Sequence, residues 1–336
     1  MRAFLAACST AIALWVLAWP TTALAAHHAH AQPEVHVGIV LFDGVQIIDF
    51  AGPYEVFGQA GFGVATVSPN GKPVTTSMGL TVTPDFAFAN APAFDVLLVP
   101  GGDVDQASAD PAVLDFIRQR SADAGQVLSV CTGAQILAAA GLLDGLKATT
   151  FHRALDDLAT HYPKVTVVRD QRWVDNGKII TSAGLSSGID AALHVVARRQ
   201  SEDAARTTAL HLEYDWHPHG GFVRGVLADR YLPKLQTIEW PKDIDFKQLS
   251  AVGDERQWRV RHRIKTQTTR DELMQRIARS IAGEGWQREA SQTDYRWRHD
   301  VDGQRIDLVI ATRPVEAADA FELEATLAVG GMRGDE

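Results

Sequence analysis

Along residues 35–216, apolar runs alternate with stretches of helical pattern. Residues 35–42, Val-His-Val-Gly-Ile-Val-Leu-Phe, form a near-continuous apolar run, as expected of a strand covered on both faces. Asp43-Gly44 marks a turn. Residues 51–61 then predict a helix, with Pro53 in its first turn and Gly61 past its end. Short strands are predicted at 64–67 and 95–99, the second stopping at Pro100-Gly101-Gly102. Asp110-Pro111 opens a helix that runs to about Ala124, with Asp110 as N-cap and the proline at the first helical position. Residues 126–130 are the next strand, and a helix of small residues covers 132–143. Two alternating runs within 165–181 flank Asp175-Asn176-Gly177, a hairpin signal. Helices at about 185–199 and 202–214, the latter capped by Ser201, complete the unit. Strands alternating with helices predict an α/β fold with a parallel sheet sandwiched by helices.

The period changes further on. Residues 217–255, rich in His, Pro and Gly at the start, read as a connector. Trp258, Val260, His262 and Ile264 alternate with Arg259, Arg261, Arg263 and Lys265, the pattern of a half-buried strand. Residues 269–282 carry Leu273, Ile277 and Ile281 on one helical stripe. Strand patterns recur at 286–298, 304–312 and 320–329, so 256–332 reads as a small α+β module. Its basic stripe would suit an anionic lipid or polymer. The nearby acids Asp271, Glu272, Glu322 and Glu324 favour a solvated sheet face instead.

Residues 1–25 carry export signals: Arg2, an apolar stretch from Ala11 to Ala18, and Ala23-Leu24-Ala25, which fits signal-peptidase cleavage after Ala25. The apolar run is too short for a membrane span, and none follows it. Leu5-Ala6-Ala7-Cys8 matches a lipobox in letters but has no apolar region upstream. The expected location is therefore the periplasm. Residues 26–34, with His27, His28 and His30, read as a flexible tail. The 336 residues are 46% hydrophobic and 22% charged, ample for a packed core. A net charge of −9 argues against a nucleic-acid partner.

That leader holds Cys8, so Cys131 would be the single thiol of a mature chain, unable to form an internal disulfide. Its setting is a strand, Val127-Leu128-Ser129-Val130, running into cysteine and then at once into a helix. Such a strand–turn–helix elbow holds a nucleophile at the C-terminal edge of a sheet. The new helix offers free N–H groups that favour a thiolate and can hold a developing anion. The Gly101-Gly102 turn ends another strand and could bring a second donor close.

Several separated segments carry a family resemblance. They are Asp49-Phe50-Ala51-Gly52-Pro53-Tyr54-Glu55-Val56-Phe57, Leu98-Val99-Pro100-Gly101-Gly102, Ser129-Val130-Cys131-Thr132-Gly133-Ala134, residues 137–145, Ala148-Thr149-Thr150-Phe151-His152 and Thr181-Ser182-Ala183-Gly184. Over residues 35–216 the chain resembles the DJ-1/PfpI superfamily (class I glutamine amidotransferase-like), and within it the isonitrile hydratase-like branch. The resemblance implies a flavodoxin-like domain, Cys131 as nucleophile, Asp49 as the acidic partner that handles the proton, and Gly102 and Thr132 as backbone donors. It also implies a small-molecule substrate, no cofactor and no metal, and a homodimer, with hydratase/lyase chemistry on a small electrophile.

Other readings compete at single residues. Thr132 stands where peptidase-like members carry histidine, so no local Cys-His dyad is expected. His152 could approach the cysteine or be structural. Asp49 could be an N-cap, and Glu55 could face the cleft or solvent. His217-Pro218-His219 reads as a polar loop rather than a metal site. The same fold also serves as the ligand domain of AraC-type regulators, which leaves a non-enzymatic periplasmic ligand or redox sensor as an alternative. The strand-rich module is unlike the paired helix-turn-helix units of those regulators. Glyoxalase or deglycase chemistry would use the same nucleophile.

Overall fold

The computed structural model describes residues 34–290, 295–301, 303–317 and 319–330. The leader, Cys8 and the tail histidines lie outside the described residues.

The first unit is a seven-stranded sheet. Its strands are β1 (His36–Val40), β2 (Gly63–Ser68), β3 (Phe86–Ala87), β4 (Val96–Val99), β5 (Gln126–Val130), β6 (Trp173–Asp175) and β7 (Ile179–Ser182). They lie in the order β6-β7-β5-β4-β1-β2-β3. All neighbours are parallel except the edge hairpin β6–β7. The central strands are apolar on both faces and fully buried, because helices cover both sides. These helices are α1 (Ile47–Gln59), α2 (Pro111–Asp123), α3 (Gly133–Ala139), α4 (Ser186–Arg199) and α5 (Glu202–His211). The strand order is the flavodoxin-like one, and the crevice at its reversal point lies between β1 and β4. The loops after β1, β4 and β5 therefore meet at one end of the sheet.

Local chemistry accounts for several boundaries. Asp110 caps α2 by accepting the Ala112 N–H, with Pro111 at the first helical position, and Ser201 caps α5 through the Ala204 N–H. Helix α1 departs from expectation, since it begins at Ile47 rather than Ala51. Pro53 thus lies well inside it and not in the first turn. A buried apolar face of Phe50, Pro53, Val56 and Phe57 overrides the proline signal.

The second unit is a six-stranded antiparallel sheet: β8 (Asp245–Gly253), β9 (Gln257–Lys265), β10 (Gln287–Glu289), β11 (Tyr295–Val301), β12 (Gln304–Pro314) and β13 (Ala320–Val329). Helix α6 (Arg270–Gly283) is capped by Thr269 and lays Leu273, Met274, Ile277 and Ile281 on a core around Trp297. Strand β8 falls in the stretch expected to be connector. It pairs with β9 along its length, but it is an edge strand, half exposed and carrying Asp, Lys, Gln and Ser. It lacks the apolar alternation that reveals a strand. The expected strand at 286–298 proves to be parts of two paired strands, β10 and β11. On β9 the basic stripe is answered across the sheet: Glu322 takes Arg261 and Arg263, and Glu324 faces Arg261.

Arg172 ties the first unit to the connector. Its guanidinium pairs with Asp190 of α4, both side chains being largely buried, and donates to the Phe222 carbonyl of the connector at 2.6 Å. Removing one member of such a pair strands a buried charge. Arg172→Met should therefore cost about 3–5 kcal/mol in urea unfolding, whereas Arg172→Met with Asp190→Leu should recover most of it. A single variant as stable as wild type would contradict this account.

Candidate active site

Three strand ends build the site. Strand β5 delivers Cys131, which is 6% exposed and has φ of +58°, a left-handed conformation that costs a non-glycine residue about 1–2 kcal/mol. The surroundings hold it there. The Cys131 N–H is shared between the carbonyls of Ser182 (3.1 Å) and Ala183 (3.3 Å) beyond β7. The Cys131 carbonyl accepts the buried Thr150 hydroxyl at 2.6 Å. A side chain at Gly101 would fall within 2.8 Å of Cys131 Cβ and 2.6 Å of the Thr132 backbone nitrogen, so only glycine allows β4's loop to close on the elbow. A Cβ at Gly184 would lie 3.1 Å from the sulfur and 2.7 Å from the Phe151 ring. Gly184 therefore leaves the space beside the thiol open, and Phe151 flanks it.

Helix α1 delivers Asp49. Asp49 is not the N-cap of α1, a position held by Gln46; it sits in the first turn on the buried face and has no exposed surface. Its Oδ1 accepts the Leu185 N–H at 3.1 Å. Leu185 is itself left-handed at φ +59°, so a second strained residue aims its amide at this carboxylate. Oδ2 is buried without a hydrogen-bond partner among the described residues, on a carboxylate that interacts with the Cys131 thiol. Such an atom is costly to leave unpaired, and it marks a carboxylate set up to take a proton.

Burial dominates the electrostatics. It pushes Asp49 up to about 6, against the opposing pull of Cys131 and of the Leu185 and Gly101 amides. It also pushes the Cys131 thiol well up, and the adjacent Asp49 charge raises it further. The Thr132 amide and hydroxyl act in the other direction and are outweighed. The expected lowering by a helix N-terminus is thus reversed. Helix α3 is only seven residues long, and the sulfur has almost no contact with water. The two groups form a pair in which the thiol holds its proton beside a carboxylate able to receive it.

The other expected residues are placed differently. The Thr132 backbone amide faces the sulfur. The Gly102 amide instead donates to the Thr132 hydroxyl at 2.9 Å, and the same hydroxyl donates back to the Gly102 carbonyl at 2.9 Å, so Gly102 is not a free donor here. The Gly101 amide, which faces Asp49, is the donor that β4's loop supplies. His152 packs edge-on against Phe151 (centroids 4.3 Å apart), and the charges that act on it are Arg224, Arg153 and Asp229. Glu55 points to solvent, hydrogen-bonded to Gln59 at 3.0 Å, on the side of α1 away from Asp49. His217 pairs with exposed Asp215 at 2.9 Å. Among the described residues no group of three His, Cys, Asp or Glu side chains is placed to hold a metal. Sequence reasoning missed Thr150, Gly184 and Leu185 as site residues, and it named the Gly101-Gly102 turn as a donor but picked Gly102 within it. Thr150 and Gly184 lie in quoted motifs, whereas nothing in the sequence marks Leu185.

Comparison with known proteins agrees with the fold of the first unit. The pattern of the DJ-1/PfpI family matches residues 35–198. The isonitrile hydratase of Pseudomonas putida is 40% identical over 185 residues, which are 54% of this chain and 78% of that protein. The HTH-type transcriptional regulator GbdR of Pseudomonas aeruginosa is 29% identical over 174 residues, covering 50% of this chain and 47% of the regulator. A solved THiJ/PfpI family protein from Pseudomonas syringae is 31% identical with a TM-score of 0.52, covering 62% of this chain and 87% of that one.

The buried pair makes a stability prediction with a definite sign. Asp49 titrates near 4 when unfolded and about 6 when folded, so its ionisation penalises the fold increasingly as pH rises through that window. Asp49→Asn should stabilise the protein by up to about 3 kcal/mol at pH 7 and hardly at all at pH 4. It should also lower the pH at which Cys131 ionises, followed by thiolate absorbance. A stability gap independent of pH would sink the account.

Proposed function

Because the chain belongs to the DJ-1/PfpI family, we propose that it is an exported, cysteine-dependent hydratase acting on a small electrophile of the isonitrile type. The observation that carries this reading is the pairing of a strained, protonated thiol with a buried carboxylate that interacts with it and whose Oδ2 has no hydrogen-bond partner among the described residues.

The chemistry needs one nucleophile and one group that moves a proton. Asp49 takes the Cys131 proton as the sulfur forms a bond to the terminal isonitrile carbon. It then returns that proton to the same carbon, giving a neutral thioimidate. Water adds to this carbon, a proton reaches nitrogen, and the C–S bond breaks. An N-substituted formamide leaves, and the thiolate regains its proton. The balance is one isonitrile plus one water giving one formamide. The amide of Thr132 lies beside the sulfur, where charge develops during attack and departure. Gly184 leaves room for the substrate, and the Phe151 ring gives it an apolar wall.

Support for the hydratase over a peroxide sensor comes from the same electrostatics, since oxidation needs thiolate and water access. The regulator reading gains nothing from the C-terminal module, a six-stranded sheet with one helix. Dicarbonyl chemistry would use the same pair, so the substrate test must include it.

The test is a panel of isonitriles and α-oxoaldehydes given to wild type and variants. Formamide should appear with wild type and vanish in Cys131→Ala. Asp49→Asn should be slower by about 10²–10⁴-fold. The wild-type rate should fall as pH drops below about 6, where Asp49 becomes protonated and can no longer accept the thiol proton. Undiminished hydration by Cys131→Ala, or turnover confined to α-oxoaldehydes, would overturn the proposal.

A further inference from the structure

One candidate site lies away from Cys131. It is a cleft of about 2330 Å³ between the first unit and the C-terminal module, closed on one side by the connector. Typical small-molecule sites occupy about 300–1,000 Å³, so it has room for an extended ligand. Its charge runs against that of the chain. The protein carries a net −9, yet the cleft is lined by eight Arg or Lys side chains and four Asp or Glu.

Some of those cations are spoken for. Arg224 pairs with Asp229, and Arg169 and Lys234 share Asp156. Three others form no ion pair among the described residues, although Arg256 lies near enough to Asp254 to help hold its carboxyl down. Arg153 comes from the first unit and Arg256 from the turn between β8 and β9. Arg230 comes from the connector, where it meets the Val226 carbonyl and the Tyr231 hydroxyl. They sit on three separate segments and face one space. Concentrating like charge in this way is unfavourable in an empty cleft. His152 on the cleft wall is held down to about 4, first by burial and then by Arg224 and Arg153, with Asp229 opposing.

From this geometry we propose that the cleft is a binding site for a multiply charged anion bearing several phosphate or carboxylate groups along one molecule. Arg153, Arg230 and Arg256 are its principal ligands. Guanidinium groups suit this, since each can grip a phosphate or carboxylate with two parallel hydrogen bonds. The site is distinct from Cys131, and Phe151 stands between them: one face of that residue flanks the thiol, while His152 packs on its edge. The module's contribution is to complete the cleft. This inference does not depend on the hydratase reading.

The test uses the full chain in calorimetric titration with two probes, tripolyphosphate and trigalacturonate, and neutral maltotriose as control. Binding of either charged probe is expected, weakening as salt rises. Binding of one alone identifies the anionic group as phosphate or carboxylate. Arg153→Ser with Arg256→Ser, both at exposed positions, should weaken binding by about tenfold or more. Lys72→Ser with Lys242→Ser removes the same charge outside the cleft and should leave affinity unchanged. Saturation should also raise the His152 titration midpoint followed by NMR. Binding of neither probe, or equal loss in both double variants, would overturn the proposal.

Discussion

The structure turns on one backbone conformation. Cys131 sits at φ +58°, where a side chain is disfavoured, and the surrounding parts hold it there. Strand β7 supplies two carbonyls for its amide, Thr150 supplies a hydroxyl for its carbonyl, and Gly101 and Gly184 remove the atoms that would collide with it. These come from three separate segments: the end of β7 with its following loop, the stretch holding Thr150, and the loop after β4. The parallel sheet is therefore needed to bring the segments together, and the elbow is how the sheet's packing energy reaches one sulfur atom. Strain of about 1–2 kcal/mol is tolerable on a core that buries the central strands completely.

The same burial decides the chemistry. A nucleophilic cysteine is often pictured as a thiolate stabilised by a helix. Here the helix is short, the sulfur is dry, and a carboxylate stands beside it, so the ground state is thiol and carboxylate. Attack by such a thiol would have to move its proton in step with bond formation, with no pre-formed anion waiting. A dry, protonated thiol is also shielded from adventitious oxidation, which needs thiolate and access to water.

Much of this was legible in the sequence, and the failures have identifiable causes. Residues 126–131 announced the elbow because a buried strand, a cysteine and a small-residue helix are adjacent in the chain. Asp49 came from resemblance, because its partner is distant in sequence. Helix α1 was placed four residues late because Pro53 is a strong start signal, and only tertiary packing overrides it. That shift removes the competing reading of Asp49 as an N-cap and places its carboxylate on the buried face of the first turn. The Gly102 amide could not be excluded without coordinates, since its capture by the Thr132 hydroxyl is a contact between two loops. The direction of the thiol's shift was misjudged for a related reason: helix termini are visible in a sequence, whereas desolvation is not.

The C-terminal module was legible as a period and opaque as a purpose. Its core pattern identified the α+β class, while the polar edge strand β8 hid the boundary. The arginines that matter most in it are also not those that stand out. The stripe along β9 draws the eye, yet Glu322 and Glu324 largely neutralise it. Arg256 sits in a turn with no pattern around it and gains meaning only when the fold sets it opposite Arg153 and Arg230. Surface charge is therefore best judged after pairing: what remains unpaired once the fold has assigned partners is the part left over for a ligand.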